Sequence, residues 1–146
     1  MKIYVAGSIT GKTPDEVFAF FCNTKETLEQ MGYEVVSPMA GKGHLRTEKY
    51  FSSSGYKFPV STDHAIARRD RWMVKQSDII YVNLLSAKTA SIGCVSELAW
   101  AYDNNKHTIL VMQDDNIHKH AFILEMADII FDNTEAALEY LGELVS

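Results

Sequence analysis

In the stretch SIGCVSELAWAY, residues 91–102, one carboxylate stands among apolar neighbours. A small-residue run through Ser91 and Gly93 leads into a helical pattern, and Glu97 falls in that helix's first turns. A carboxylate in apolar surroundings is costly unless it is paired or used. Glu97 is therefore either a structural group hydrogen-bonded near the start of its own helix, where the dipole favours negative charge, or a reacting one. Three other clusters carry polar groups. YVAGSITGK, from Tyr4 to Lys12, holds Gly7 and Gly11, which would let backbone approach a ligand as phosphate-cradling loops do. The run matches neither a P-loop nor G-x-G-x-x-G, and a plain strand-to-helix turn is its simpler meaning. ARRDRW sets Asp70 among Arg68, Arg69 and Arg71, which on charge pattern reads as a solvated, salt-bridged helix face. NIHKHAF places His118 and His120 two apart, an invitation to zinc, but no third ligand stands at metal spacing and no metal is expected.

The elements that must position these groups follow from the hydrophobic pattern. Short, β-branched, nearly continuous apolar runs at 2–7, 33–38, 78–85, 108–113 and 128–133 read as parallel strands covered on both faces. Helical patterns occupy 14–31, 62–76, 92–105, 117–126 and 134–145, the last with Leu138, Leu141 and Val145 on one face. Thr13 is placed to cap the first helix, Pro14 opens it and Gly32 stops it. Such β-α repetition predicts an α/β fold: a doubly wound, flavodoxin- or Rossmann-like five-stranded parallel sheet with helices on both faces. The 146 residues suit a single domain over 1–146. Ligands of such sheets sit beyond the carboxyl ends of the strands, which directs attention to the loops 8–13, 39–60, 86–91 and 114–118. Segment 39–60, rich in Gly, Ser and aromatics, is long enough to be functional or mobile.

Composition narrows the classes. The net charge of −5 comes without a basic stripe, which argues against a nucleic-acid partner. Cys22 and Cys94 lie far apart with no C-x-x-C or metal spacing, as in a reduced, cytoplasmic protein. The chain enters a strand-like run at once, so no signal peptide is expected. No apolar run approaches the roughly 18 residues a membrane span needs.

Taken together, the clusters resemble the nucleoside 2-deoxyribosyltransferase family. The resemblance lies in their order: Tyr4, then Asp70, then Asp78 opening a strand, then S-x-G-x-x-x-E at 91–97, closing with AFILEMADIIFD at 121–132. It extends over nearly the whole chain. It implies cleavage of the N-glycosidic bond between a base and deoxyribose, without a cofactor. Glu97 would be the nucleophile that forms a glycosyl-enzyme intermediate, as a retaining glycosidase carboxylate does. Asp70 would stand beside the base as acid or proton relay, and Tyr4 would hold the nucleophile in place.

The acceptor decides the reaction. A second base as acceptor makes the protein a transferase, the leading expectation. Water as acceptor makes it a hydrolase, like the related 2′-deoxynucleoside 5′-phosphate N-hydrolases. Ser91 leans toward that branch, since well-known transferases carry Asp there, and GSITGK is similar to the hydrolases' G-S-I-R-G-G loop. Thr10 replaces that loop's phosphate-binding Arg; Lys12, Arg46 or His120 would have to substitute. The resemblance thus implies a substrate-binding set of Gly7, Ser8, Ile9, Thr10, Lys12, Ser91, Gly93 and His120. It also implies a homodimer or higher homo-oligomer with shared sites, the neighbour contributing the position near His120. A non-catalytic nucleotide-binding module is the remaining reading, and the joint presence of Tyr4, Asp70 and Glu97 weighs against it.

Overall fold

Alternation of apolar side chains on the strands divides the core into two layers. The computed structural model describes residues 1–39, 55, 59, 62–85 and 87–146. In chain order it contains β1 (Lys2–Gly7), α1 (Pro14–Gln30), β2 (Glu34–Val36), α2 (Asp63–Gln76), β3 (Ile79–Asn83), α3 (Ile92–Asp103), β4 (His107–Val111), α4 (Ala121–Met126), β5 (Ile129–Phe131) and α5 (Thr134–Val145). The strands form one parallel sheet in the order β2-β1-β3-β4-β5. This is the flavodoxin-like doubly wound arrangement expected from the sequence. Ile3, Val5, Ile79, Tyr81, Ile109 and Val111 face α1 and α5. Tyr4, Ala6, Ile80, Val82, Leu110 and Met112 face α2, α3 and α4. β1 and β3 are central and buried, whereas β2 and β5 are short edges with partly exposed residues.

Among the described residues the strand and helix expectations hold in number, type and order, and differ at their ends. β2 and β5 pair over three residues each, not six, because each has a neighbour on one side only. The fourth helix begins at Ala121, not 117, because Asn116 and His118 spend their polar groups on contacts elsewhere in the fold. α1 ends as expected: Gly32 takes φ +101°, a conformation that suits glycine just past a helix. The loop 39–60 and Arg46 within it lie outside the described residues, apart from Met39, Gly55 and Pro59. Among the described residues no helix is long and apolar enough to cross a membrane.

Candidate active site

α3 buries the stripe Cys94, Glu97, Leu98 and Ala101, spaced as one face of a helix. Glu97 is the sixth residue of α3, beyond its first turn, and is 5% exposed. Its partner is not at the start of its own helix. The hydroxyl of Tyr4, on central strand β1, donates to Glu97 Oε1 at 2.7 Å. Tyr4 lies in the middle of β1, and its ring runs through the core toward α3. Burial raises the Tyr4 phenol well above its usual pKa, and the negative charges of Glu97 and Asp70 raise it further. Tyr4 therefore stays a donor at any physiological pH, and it senses both carboxylates at once. Glu97 is thus hydrogen-bonded to the buried phenol, and the charge of Asp70 acts on the same phenol.

Asp70 departs from the solvated face that its charge pattern indicated. It is 6% exposed and shares the buried stripe of α2 with Met73 and Val74, while Arg68 and Arg71 are exposed. Arg69 folds back on it, Nε and Nη2 donating to Oδ1 at 3.2 and 3.1 Å. The same Nη2 donates to the carbonyl of Pro38, just past β2, at 2.9 Å. One guanidinium so fixes α2 and its carboxylate against the carboxyl end of the sheet. Asp78 is at the opposite end, where it accepts a hydrogen bond from the backbone N–H of Lys2, and takes no part in the site.

The loop after β1 lines a cleft of about 620 Å³ together with Lys88 of the β3–α3 loop. Ser8, Thr10, Gly11 and Lys12 line it with Thr13 and Glu16 from the start of α1; Ile9 is half-buried and packs against the core. Gly11 has φ +81° and stands in a turn that Lys12 N–H closes on the Ile9 carbonyl, so its backbone alone calls for glycine. Packing also calls for glycine at Gly7: a Cβ there would sit 2.6 Å from the Phe20 ring. Burial lowers the Lys12 pKa, opposed by Glu16 and Cys94. Burial likewise pushes the Cys94 thiol up, with Glu97 adding to the effect, so it is not a reactive nucleophile.

Ser91 caps α3, its Oγ accepting from Cys94 N–H at 3.4 Å. Gly93 in the first turn is exposed, with open space where a Cβ would be. From the 114–118 loop His118 meets Ser91: Ser91 N–H donates to His118 Nε2 at 2.8 Å. His118 was set aside with the zinc reading, and only the absence of a Glu three residues after Ser91 hinted that this N–H needed a distant acceptor. His120 caps α4 by accepting from Phe122 N–H and is exposed. Among the described residues no three His, Cys, Asp or Glu side chains are grouped to hold a metal.

A family model described as nucleoside 2-deoxyribosyltransferase matches residues 3–139. No curated protein sequence is significantly similar to the chain. Among solved structures, the Clostridium botulinum CMP N-glycosidase BcmB superposes with a TM-score of 0.56 at 15% identity, over 99% of this chain and 97% of that one. A 3-dehydroquinate dehydratase-like protein from Bifidobacterium longum superposes with a TM-score of 0.50 at 16% identity, over 100% and 98%. At such identities the likeness speaks for the fold alone.

Proposed function

The chain belongs to the nucleoside 2-deoxyribosyltransferase family, and we propose that it cleaves the N-glycosidic bond of (deoxy)nucleosides through a covalent glycosyl-Glu97 intermediate, then passes the sugar to an acceptor base. The observation that carries this reading is the 2.7 Å bond from the Tyr4 hydroxyl to Glu97 Oε1. It orients a buried carboxylate without neutralising it, because the phenol keeps its proton. A Glu97 oxygen bonds to the anomeric carbon as the carbon–nitrogen bond breaks, and the electron pair leaves with the base. The negative carboxylate stabilises the oxocarbenium-like transition state, more strongly in buried surroundings than in water. Asp70, with Oδ1 engaged by Arg69, relays the proton that the leaving base takes up. In the second half an acceptor base attacks the same carbon, gives its proton back through Asp70 and frees Glu97. Ser8, Ile9, Thr10, Lys12, Ser91 and Gly93 form the surrounding binding surface in this reading, and exposed His120 reaches the site of a neighbouring subunit.

A second reading, hydrolysis of nucleoside 5′-monophosphates, is favoured by the start of α3. Its first turn contains no acidic residue, and Lys12 and Lys88 line the neighbouring cleft. An anion there would meet the positive end of the helix dipole and two lysines, with Glu16 as the one acidic residue lining that cleft among the described residues. The test is an incubation with deoxynucleosides, with and without an acceptor base, and with monophosphates, followed by chromatography of free base and new nucleoside. New nucleoside only when acceptor is present supports transfer. Free base from monophosphates without acceptor supports hydrolysis. A folded protein that releases no base from any of them refutes both.

A further inference from the structure

The N–H of a capping residue is often satisfied by a Glu three residues on, as α1 does with Glu16. In α3 that position is Cys94, and the acceptor comes from 27 residues away. His118 is 4% exposed. Its Nδ1 lies 2.9 Å from Asn116 Oδ1, which also accepts from His118 N–H at 2.9 Å. Asn116 Nδ2 donates to the Leu84 carbonyl at 2.9 Å and to Gln113 Oε1 at 2.8 Å, which assigns the oxygen of that amide to the His118 side. The ring must then donate from Nδ1, leaving a lone pair on Nε2 for Ser91. A chain of hydrogen bonds runs from the end of β3 through Asn116 and His118 to the cap of α3.

We propose that His118 is a positioning residue for the 5′ end of the substrate: its Nε2 fixes the backbone of Ser91, and with it the direction of the Ser91 hydroxyl and the first-turn amides near Gly93. The assignment rests on the reaction proposed above. Glu97, held independently by Tyr4, lies deeper in α3, so His118 governs affinity and 5′ specificity more than the chemical step. A neutral imidazole also leaves the helix start without negative charge, where a Glu in the same role would repel an anionic 5′ end. Burial is the sole cause that lowers the His118 pKa, so it holds this neutral form near neutral pH.

The test compares His118→Leu, which removes the acceptor, with His118→Gln, whose amide oxygen replaces Nε2. Deoxynucleosides, their 5′-monophosphates and 5′-deoxy analogues lacking the 5′ oxygen are the substrates. His118→Leu should raise KM about tenfold for substrates with a 5′ oxygen or phosphate, the usual scale for one buried hydrogen bond, with kcat nearly kept. The 5′-deoxy analogues should be unaffected, and His118→Gln should recover most of the loss. Equal loss on all three substrate types makes His118 merely structural and overturns the assignment. If His118→Leu does not fold, nitrogen NMR of the wild-type ring decides: an unprotonated Nε2 and protonated Nδ1 support it, and the opposite tautomer overturns it. If the wild type releases no base at all, the proposed reaction fails separately. Calorimetric binding of a 5′-monophosphate to wild type, His118→Leu and His118→Gln then serves: about tenfold weaker binding by His118→Leu alone supports the role, and equal binding by all three, or binding by none, overturns it.

Discussion

α1 and α3 both begin beyond the carboxyl ends of central strands, β1 and β3, yet α1 closes its first turn with its own side chains while α3 borrows one. In α1, Thr13 Oγ1 accepts from Glu16 N–H and Glu16 Oε2 accepts from Thr13 N–H, a complete capping box with Asp15 and Glu16 in the first turn. The bond to the cap holds the Glu16 pKa down. That start is stable by itself and negatively charged. In α3, Ser91 keeps the side-chain half of the motif, His118 supplies the other half, and the first turn has no acid. The two solutions satisfy the same orphan donors. They differ in what they leave for a ligand. An acidic start repels anions, whereas a neutral start leaves its dipole available. The carboxylate of α3 that is buried, Glu97, stands deeper and is secured from β1. Thr13 and Glu16 of α1 line the cleft with Lys12 and Lys88, and in the reading proposed above the neutral start of α3 receives the 5′ end of the substrate.

The comparison is tested most severely through Glu97→Ala. Activity should fall on the order of a thousandfold or more, roughly 4 kcal/mol of barrier, in a protein whose circular dichroism is unchanged. Near-normal turnover would remove α3 from the chemistry. Ser91→Asp next gives α3 an acidic start like that of α1 while keeping a capping residue. A monophosphate brings nearly two negative charges near neutral pH, so a carboxylate a few Å away costs on the order of several kcal/mol. Activity on monophosphates should be lost, while unphosphorylated nucleosides are processed as well or better. If both substrate classes are unaffected, Ser91 is a cap and nothing more. Asp70→Asn, on α2 and outside both starts, should slow the reaction about a hundredfold and less for better leaving bases. A loss equal for every leaving base removes Asp70 from proton transfer. Thr13→Ala has the smallest expected effect: about 1 kcal/mol of stability, a shift of a few degrees in Tm, with kcat/KM unchanged. A drop in kcat/KM larger than the stability loss explains would give α1 a part in the site.

The same contrast explains what was legible in the sequence. Thr13 and Pro14 at one end of α1 and Gly32 at the other each act within a few residues of the end they mark, so α1 could be read at both ends. The strands of the core could be read from their continuous apolar runs, while β2 and β5 were overextended because edge position does not show in composition. Glu97 stood out as a carboxylate in an apolar helix, and the family resemblance supplied Tyr4 as its partner. Asp70 was misjudged from residues alone, because three arginines masked its spacing with Met73 and Val74, the signal of a buried stripe. The Ser91–His118 bond was beyond reach: two histidines stood two apart, and only the turn at 116–120 decides which faces inward.

The central claim is that Glu97 becomes covalently bonded to the sugar. A 2′-fluoro nucleoside, whose fluorine disfavours the oxocarbenium-like transition state and slows release, is mixed with the protein without acceptor base, quenched, digested and weighed by mass spectrometry. The peptide containing Glu97 should gain the mass of one fluorinated sugar, Glu97→Ala should not, and adding an acceptor base should discharge the adduct. A wild-type protein that turns over nucleosides yet carries the sugar on another residue, or on none at any time of quenching, would contradict it.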